Sequence, residues 1–419
     1  MHKYAYIHRF KIYVFREVSD LPGLRVLAII ERSDLIANMF QFRSFERWIC
    51  ALVLVGVIAL PLLSPRNPPN FTDWQVYIEA AHKLSEGKTV YDVVGHYQYK
   101  YSPLVAATFA LLLKVFSPPV LGWINWGLEL ALFVALFIYL GGLSALRLRP
   151  SKHFAILFFG MGCLAIGLRD EMKLGQLNLW CLWFLIGTWM FAKSSRVKSA
   201  ALFWVAAVSL KLYALILAPY FVFRREWKLL AWSLLFYIAL SFVMLAPWIG
   251  VQAVVSENIE WLRSLTKSSG DLSASRFDVS MLGSFQKIGL PYFAAVALWG
   301  LALVAFLRES WTEARSPHAD GLRFLGRSIA WILLLNPLVW PYWYLLLSLV
   351  FFASLDNRAR FSGRILVPRA LWGALGCVLL IAMHRGSTPV GSSGVLVALM
   401  GIWLLVRPKE EPVPAKLAG

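Results

Sequence analysis

Long apolar segments recur along this chain from Trp48 to Val406, and the polar stretches between them are mostly short. Hydrophobic residues make up 59% of the chain and charged residues only 15%, which does not fit the surface of a water-soluble protein. Within a bilayer, every backbone polar group of such a segment needs a partner inside the protein, and a helix supplies it. The sequence therefore predicts an all-α, polytopic membrane protein.

Basic residues cluster beside the apolar segments, where the positive-inside rule places cytoplasmic loops. We therefore attribute the net charge of +18 to topology and expect no nucleic-acid partner. Residues 1–45 are predicted to be a basic cytoplasmic segment without a cleavable signal peptide. Residues 46–410 are predicted to form one integral membrane domain with external loops at 65–100 and 250–290, followed by a cytoplasmic tail, 411–419.

Hydropathy predicts about eight full crossings. Inside the first external loop, apolar residues recur at helical spacing after Thr72 and Asp73, which predicts an amphipathic helix on the membrane surface. The segment Ser102–Phe116 is too short to span and is predicted to be juxtamembrane or re-entrant. The predicted full spans are Arg47–Leu63, Val120–Leu146, Phe154–Leu168, Leu177–Phe191, Leu229–Trp248, Tyr292–Leu307, Leu371–His384 and Leu396–Val406.

Two further apolar segments are predicted to be broken helices that line a polar cavity. Ala200–Phe223 carries a lysine at its middle, so we place a bend at Ser209–Lys211. Trp331–Phe352 is interrupted at Asn336-Pro337 and at Pro341. Basic residues flank it on both sides: Arg323 and Arg327 before it, and Arg358, Arg360, Arg364 and Arg369 after it. The predicted fold therefore has about eight full crossings, two broken-helix hairpins, and two long external loops that meet on one side of the membrane.

Ionisable side chains at membrane depth are costly and are candidates for function. Lys211 either marks a helix end, pairs with a carboxylate for structure, or faces an anionic head group such as a phosphate. Asp73, at the external surface, either caps a helix or acts as a general base on a hydroxyl. All three alternatives for Lys211 and both alternatives for Asp73 stay open.

The connection Arg169–Asn178 is unusually polar for a link between apolar segments. After a turn at Gly175, Gln176 and Asn178 can direct two amides toward an oxyanion or toward sugar hydroxyls. The charged residues before the turn are interpreted as ordinary loop charges that balance one another; they are Arg169, Asp170, Glu171 and Lys173.

Neither a metal nor a cofactor is predicted for this chain. The external loops contain no Asp-x-Asp motif, and the four cysteines lie in apolar segments without metal-ligand spacing. No phosphate-binding loop, nucleophile elbow or dinucleotide fingerprint occurs. Aromatic residues of the external loops are candidates for stacking on sugar rings; they include Trp74, Tyr91, Tyr97, Tyr99 and Tyr101.

Several short motifs occur in a characteristic order: DWQVYIEAA (73–81), HYQYKYSPL (96–104), LGQLN (174–178), SLKLYALILAPYFVFRREWK (209–228) and DVSMLGSF (278–285). Their order and spacing resemble those of membrane glycosyltransferases with the GT-C fold. The similarity is specifically to glycosyltransferase family 87, the polyprenyl-phosphate-mannose-dependent α-mannosyltransferases, over about residues 46–350.

The resemblance implies an enzyme that uses a lipid-linked sugar donor. It makes Asp73 the base on the acceptor hydroxyl, and it places Lys211, Gln176 and Asn178 near the donor phosphate. Further candidates within the matching motifs are Tyr77, Tyr101, Asp278, Ser280 and Tyr342. An Asn-Gln-Ser-Leu segment of the family reads Asp278-Val279-Ser280-Met281 here, and Pro341, Tyr342 and Trp343 replace expected histidines. The donor sugar or acceptor is therefore expected to differ from those of mannose-specific members.

The sequence thus favours a metal-independent, inverting transferase that moves a hexose, mannose by default, from a polyprenyl phosphate to a lipid-linked or cell-envelope glycan. Its other partners are membrane lipids, and its expected location is the cell membrane, the inner membrane if the source is bacterial. The alternative is a secondary transporter or lipid flippase, since broken helices and a buried lysine are also transport features. A structural membrane scaffold is a third reading. A cavity open only externally favours the enzyme, whereas gates on both sides favour transport.

Overall fold

The computed structural model describes residues 72–92, 98–145, 167–272, 280–287, 289–316, 321–336 and Leu346. All regular elements in these stretches are helical, in agreement with the predicted all-α class. The α-helices are α1 (Thr72–Ser85), α2 (Pro103–Leu113), α3 (Pro118–Ala145), α4 (Gly167–Leu174), α5 (Asn178–Lys193), α6 (Val197–Leu210), α7 (Ala218–Phe223), α8 (Trp227–Ile249), α9 (Val251–Leu272), α10 (Met281–Lys287), α11 (Tyr292–Arg315) and α12 (Gly321–Leu335). One further helix, Leu212–Leu217, is a 3-10 helix.

Three helices in the described stretches are long and apolar enough to cross a membrane: Pro118–Leu136 within α3, the whole of α8 and the whole of α11. A fourth crossing results if α4 and α5 form one span, with a bend of 110° between them. The chain is therefore a membrane protein. Four predicted spans lie wholly or largely outside the described residues, so the total of about eight crossings stays a prediction; they are Arg47–Leu63, Phe154–Leu168, Leu371–His384 and Leu396–Val406.

The amphipathic helix predicted after Thr72 and Asp73 is confirmed as α1, whereas its place on the external membrane surface stays a prediction. Its apolar face packs on protein: Trp74 and Tyr77 each lie with their ring centroids 5.2 Å from that of Phe109 in α2. Tyr77 is fully buried. Aromatic contacts of this kind add to the gain from burial alone, so α1 is fixed to α2 by side-chain packing.

Helix α2 is short, as predicted, and its start is encoded locally. The hydroxyl of Ser102 accepts a hydrogen bond from the backbone N–H of Leu104, and Pro103 fills the first helical position. Both features are typical of helix N-termini. The backbone N–H of Ser102 also donates to the carbonyl of Ser209 at the end of α6, 3.1 Å away. The start of α2 is thereby fixed beside the next chain interruption.

The break predicted at Ser209–Lys211 is confirmed. Helix α6 ends at Leu210, and Lys211 adopts extended backbone angles (φ −148°, ψ 117°) before the chain continues as a 3-10 helix. The indole N–H of Trp204 donates to the carbonyl of Ala214, which is one of the backbone groups near the break. A neighbouring side chain therefore supplies a hydrogen bond that regular helix would otherwise supply.

The second predicted broken segment begins earlier than expected. Helix α12 starts at Gly321, not at Trp331, and it ends at Leu335 immediately before Asn336-Pro337. Arg327 was expected to lie in a flanking loop, but it is 7% exposed and forms ion pairs with Glu309 and Glu313 of α11. Helix α11 likewise continues beyond its predicted end at Leu307. A buried arginine is tolerated here because two carboxylates face it.

The packing between α5 and α6 depends on a glycine. A Cβ atom at Gly187 would lie 2.2 Å from Cδ1 of Phe203, well inside van der Waals contact. Small residues allow helices in membranes to approach closely. Gly187 therefore lets the ring of Phe203 lie directly on the backbone of α5.

Segments of the two predicted external loops contact each other. The carboxylate of Glu257 in α9 accepts a hydrogen bond from the backbone N–H of Val90 at 2.9 Å, and the indole N–H of Trp261 donates to the carbonyl of Lys100 at 3.1 Å. Glu257 is 5% exposed. The contact agrees with the expectation that the two loops meet; the side of the membrane on which they lie stays a prediction.

Candidate active site

Three interruptions of the helical chain meet next to the first turn of α1. They are the loop 98–102 before α2, the turn 175–177 between α4 and α5, and the break at Lys211. The turn depends on Gly175, whose φ of +69° is readily available to glycine. Each interruption contributes one polar side chain to a common cluster with Asp73.

The cluster is a chain of hydrogen bonds from Lys211 to Asp73. The ammonium of Lys211 donates to Oε1 of Gln176 at 3.0 Å and to the hydroxyl of Tyr101 at 2.9 Å. The amide nitrogen of Gln176 donates to the carboxylate of Asp73. One amide group therefore connects the cation with the carboxylate. The structure thus brings together three residues that the sequence selected, Asp73, Gln176 and Lys211.

The direction of these hydrogen bonds follows from chemistry. An ammonium can only donate, so the carbonyl oxygen of Gln176 must face Lys211 and its NH₂ group must face Asp73. An ionised carboxylate can only accept, so the NH₂ group suits the charged form of Asp73. Gln176 is 2% exposed, whereas Asp73 and Lys211 are each partly exposed. The two charged groups are thus accessible, and the amide between them is buried.

Two buried tyrosines that the sequence also selected, Tyr77 and Tyr101, form hydrogen bonds that lead to Gln176. The hydroxyl of Tyr77 donates to that of Tyr101 at 2.5 Å, and Tyr101 donates onward to Oε1 of Gln176 at 3.3 Å. Burial raises the pKa of Tyr101, and the charge of Lys211 opposes the rise, so the phenol remains a neutral donor near neutral pH. The Lys211 ammonium also lies 4.6 Å from the centre of the Tyr101 ring, within cation–π range.

Asn178 does not join this cluster. Its amide nitrogen donates to the carboxylate of Glu171 at 2.7 Å, and its amide oxygen accepts from the hydroxyl of Tyr213 at 3.2 Å. Asn178 is fully buried. Because Gln176 contacts both Asp73 and Lys211 whereas Asn178 is bonded to Glu171 and Tyr213, we carry Gln176 but not Asn178 into the proposed donor site.

The interpretation of Glu171 as an ordinary loop charge is wrong. Residues 167–174 form helix α4, and Glu171 is fully buried in it. Its carboxylate accepts hydrogen bonds from the backbone N–H groups of Asn178 and Leu179, at 2.5 Å and 3.3 Å. A carboxylate at a helix N-terminus accepts from backbone N–H groups that have no partner within the helix, and it interacts favourably with the helix dipole. Sequence reasoning missed this because Glu171 precedes the turn instead of occupying the cap position of α5.

A second cation near the cluster was also missed. Lys100 lies in the loop before α2, within the HYQYKYSPL motif. Burial and the positive charge of Lys211 lower the pKa of Lys100 to about 8, and the negative charge of Asp73 acts in the opposite direction. The available signal was the lysine between two tyrosines in a motif already identified.

The remaining candidates are Ser280, Asp278 and Tyr342. Ser280 is buried, and its hydroxyl accepts a hydrogen bond from the backbone N–H of Gly283 at 3.0 Å, as expected for a cap of α10. Asp278 and Tyr342 lie outside the described residues. Among the residues that the structure does describe, no group of three His, Cys, Asp or Glu side chains could hold a metal ion.

Comparison with known proteins identifies the family. The profile of glycosyltransferase family 87 matches residues 99–337, which is more than half of the chain and includes Tyr101, Gln176 and Lys211. Asp73 lies N-terminal to the matched segment. No curated protein and no solved structure matches the chain. The apolar helices and the family match together show that this chain belongs to glycosyltransferase family 87 and is a membrane glycosyltransferase.

Proposed function

We propose that the protein transfers a hexose, mannose by default, from a polyprenyl-phosphate donor to a hydroxyl of a lipid-linked or cell-envelope glycan. In this proposal Asp73 is the general base and Lys211 binds the donor phosphate. The observation that carries it is the position of these two residues at opposite ends of one buried amide, that of Gln176.

The pairing of an accessible carboxylate with an accessible ammonium suits direct displacement at a sugar carbon. The carboxylate of Asp73 removes the proton from the acceptor hydroxyl while that oxygen forms a bond to the anomeric carbon. The bond from the anomeric carbon to the phosphate oxygen breaks, and its electron pair leaves with the polyprenyl phosphate. Lys211 stabilises the negative charge that develops on this leaving group. A single displacement inverts the anomeric configuration.

In this proposal both charged groups bind substrate beside their protein partners. A carboxylate has about four lone-pair positions, and Asp73 binds the acceptor hydroxyl while Gln176 is among the groups that donate to it. An ammonium has three donors, which Lys211 shares or exchanges between a phosphate oxygen and its protein partners, Gln176 and Tyr101 among them. Neither role requires a metal ion, and we propose a metal-independent reaction.

A polyprenyl donor also suits the setting of the site. Helices α8 and α11 are each long and apolar enough to cross a membrane and carry large exposed hydrophobic side chains, which a bilayer would cover. A long prenyl chain partitions into the same bilayer. We propose that the enzyme acts at the external face of the cell membrane, the inner membrane if the source is bacterial.

The test is a transfer assay with purified protein in detergent or liposomes. Polyprenyl-phosphate mannose, glucose and galactose are supplied with a membrane lipid extract, and the product is identified by mass spectrometry and its anomeric configuration by NMR. We expect one hexose to be transferred with inversion and the activity to survive EDTA. Chelator-sensitive activity would contradict the metal-independent step.

Asp73→Asn provides the decisive variant, because asparagine keeps the shape and can still accept the Gln176 amide but cannot serve as a base. Loss of a general base typically lowers the rate by about 10²–10⁴. Glu79→Gln is the matched control, because Glu79 is an exposed carboxylate on the same helix, 3.6 Å from Lys83. Wild-type activity in Asp73→Asn would refute the proposed base. Movement of intact donor across liposomes without transfer would favour a flippase.

A further inference from the structure

The buried carboxylate of Glu171 is bonded to the first two residues of α5, which directly follow the turn that carries Gln176. One of its oxygens accepts from two backbone N–H groups, those of Asn178 and Leu179, and the other accepts from the Asn178 side chain. Glu171 is fully buried, so these bonds form in a medium of low dielectric, where hydrogen bonds are stronger than in water.

The backbone of the same turn is held from Glu171 as well. The backbone N–H of Gln176 donates to the carbonyl of Glu171 at 3.0 Å, across a glycine in the left-handed region. The backbone of Gln176 is therefore bonded directly to the Glu171 carbonyl. Two residues later, Asn178 is bonded to the Glu171 carboxylate. This double attachment leaves the intervening residues little freedom to move.

Gln176 needs such fixing because it serves two charged partners at once. Its NH₂ group faces Asp73, which is 103 positions away in sequence, and its carbonyl faces Lys211. A shift of the turn by about 1 Å would lengthen one bond while it shortened the other. Misplacement of this size far from the reacting atoms can lower a rate by about 10²-fold.

We propose that Glu171 is a positioning residue for glycosyl transfer and acts through Gln176. It does not touch the substrate. It holds the 175–177 turn so that one amide aligns the base Asp73 with the cation Lys211. This inference rests on the proposed function of the site and adds a residue to it.

A double-mutant cycle tests the coupling. In wild-type protein Glu171→Gln is expected to lower kcat by about 10- to 100-fold with a smaller change in the KM for donor, because alignment is lost while the phosphate-binding cation remains. In a Gln176→Ala background, the same change is expected to lower kcat less than threefold, because the residue through which it acts is missing.

The matched control is Glu257→Gln. Glu257 is also buried and also accepts a backbone N–H, that of Val90, but it is attached to a different segment. Its effect on kcat should be the same with and without Gln176→Ala, within experimental error. If the Glu171→Gln and Gln176→Ala losses multiply fully, Glu171 is merely structural and the proposal is overturned.

A second measurement does not need activity. Cysteines are introduced at positions 73 and 176, and crosslinking by a short bis-methanethiosulfonate reagent is timed, with the chain carrying only its four native cysteines as a blank. Glu171→Gln is expected to slow crosslinking at least fivefold, whereas Glu257→Gln leaves the rate unchanged. Equal rates for all three proteins would overturn the positioning role. Failure of the wild-type transfer assay would instead refute the proposed function alone.

Discussion

Replacement of Lys211 by methionine should weaken donor use with little loss of folding. Methionine has a similar length and is apolar, so it fills the same space between α6 and the 3-10 helix while it removes the charge. The free protein loses the hydrogen bonds from Lys211 to Tyr101 and Gln176. It also no longer has to keep an ammonium in a partly desolvated position, which offsets part of that loss.

The magnitudes separate the two effects. Loss of a hydrogen bond from a charged donor costs about 1.5–3 kcal/mol, and the Gln176 carbonyl keeps its bond from Tyr101, so we expect a net loss of stability below about 2 kcal/mol after the offset. Two unit charges about 4 Å apart at an effective dielectric constant of about 20 interact by about 4 kcal/mol, and a charge-assisted hydrogen bond contributes about 1.5–3 kcal/mol. Loss of about 3 kcal/mol from the transition state lowers kcat/KM by about 10²-fold.

The assay measures kcat/KM for polyprenyl-phosphate hexose, together with thermal stability by size-exclusion chromatography after heating. Lys114→Met is the matched control, because the Lys114 ammonium lies 4.3 Å from the centre of the Trp248 ring, a cation–π contact like that of Lys211 but away from Asp73. We expect normal kcat/KM in that control. Unchanged kcat/KM in Lys211→Met would refute the phosphate role, and an equal loss in both variants would trace the effect to folding.

Three further predictions follow from the described contacts. We propose that Lys100 adds its positive charge to that of Lys211 at the donor phosphate, so the KM for donor should rise as pH increases through about 8 and Lys100 becomes neutral. Lys100→Gln should remove this pH dependence, and a rise in KM that persists in the variant would contradict the proposal. Arg327→Met should lower stability by about 3–5 kcal/mol, measured as a lower Tm, because it removes the cation that faces the buried carboxylate of Glu313 and the partly buried one of Glu309. An unchanged Tm would show that the ion pairs are dispensable. Cysteines at Thr89 and Ser269 should both react with an impermeant thiol reagent in intact cells, and reaction at only one would contradict a shared external side.

Features that depend on local pattern could be read from the sequence. The apolar positions of α1 recur at helical spacing, and a lysine in the middle of an apolar segment marked the break at Lys211, because an ammonium is costly in lipid. The same reasoning selected Asp73 and Gln176, and the structure brings both into contact with one another.

Features that depend on distant partners could not. Arg327 was interpreted as the flank of a helix because local sequence gives no sign of the carboxylates in α11 that accompany it. Nor does local sequence give any sign that the NH₂ group of Asn178 donates to a glutamate seven positions earlier; a contact between Asn178 and the donor stays a prediction. The buried tyrosine pair beneath Gln176 likewise joins residues 24 positions apart, Tyr77 and Tyr101.

The location of the site follows from the way the chain interruptions satisfy one another. A helix that stops inside an apolar protein leaves backbone donors and acceptors without partners, and water is not available to replace them. Here the carbonyl of Ser209, beside the break, accepts from the N–H at the start of α2, and Glu171 accepts from the N–H groups at the start of α5. Interruptions whose backbone groups must form hydrogen bonds with one another therefore lie close together in the structure. These interruptions carry polar side chains, among them Lys211 and Gln176, which are therefore in contact before any substrate is bound. The proposed stabilisation of a leaving phosphate by Lys211 requires such preorganisation.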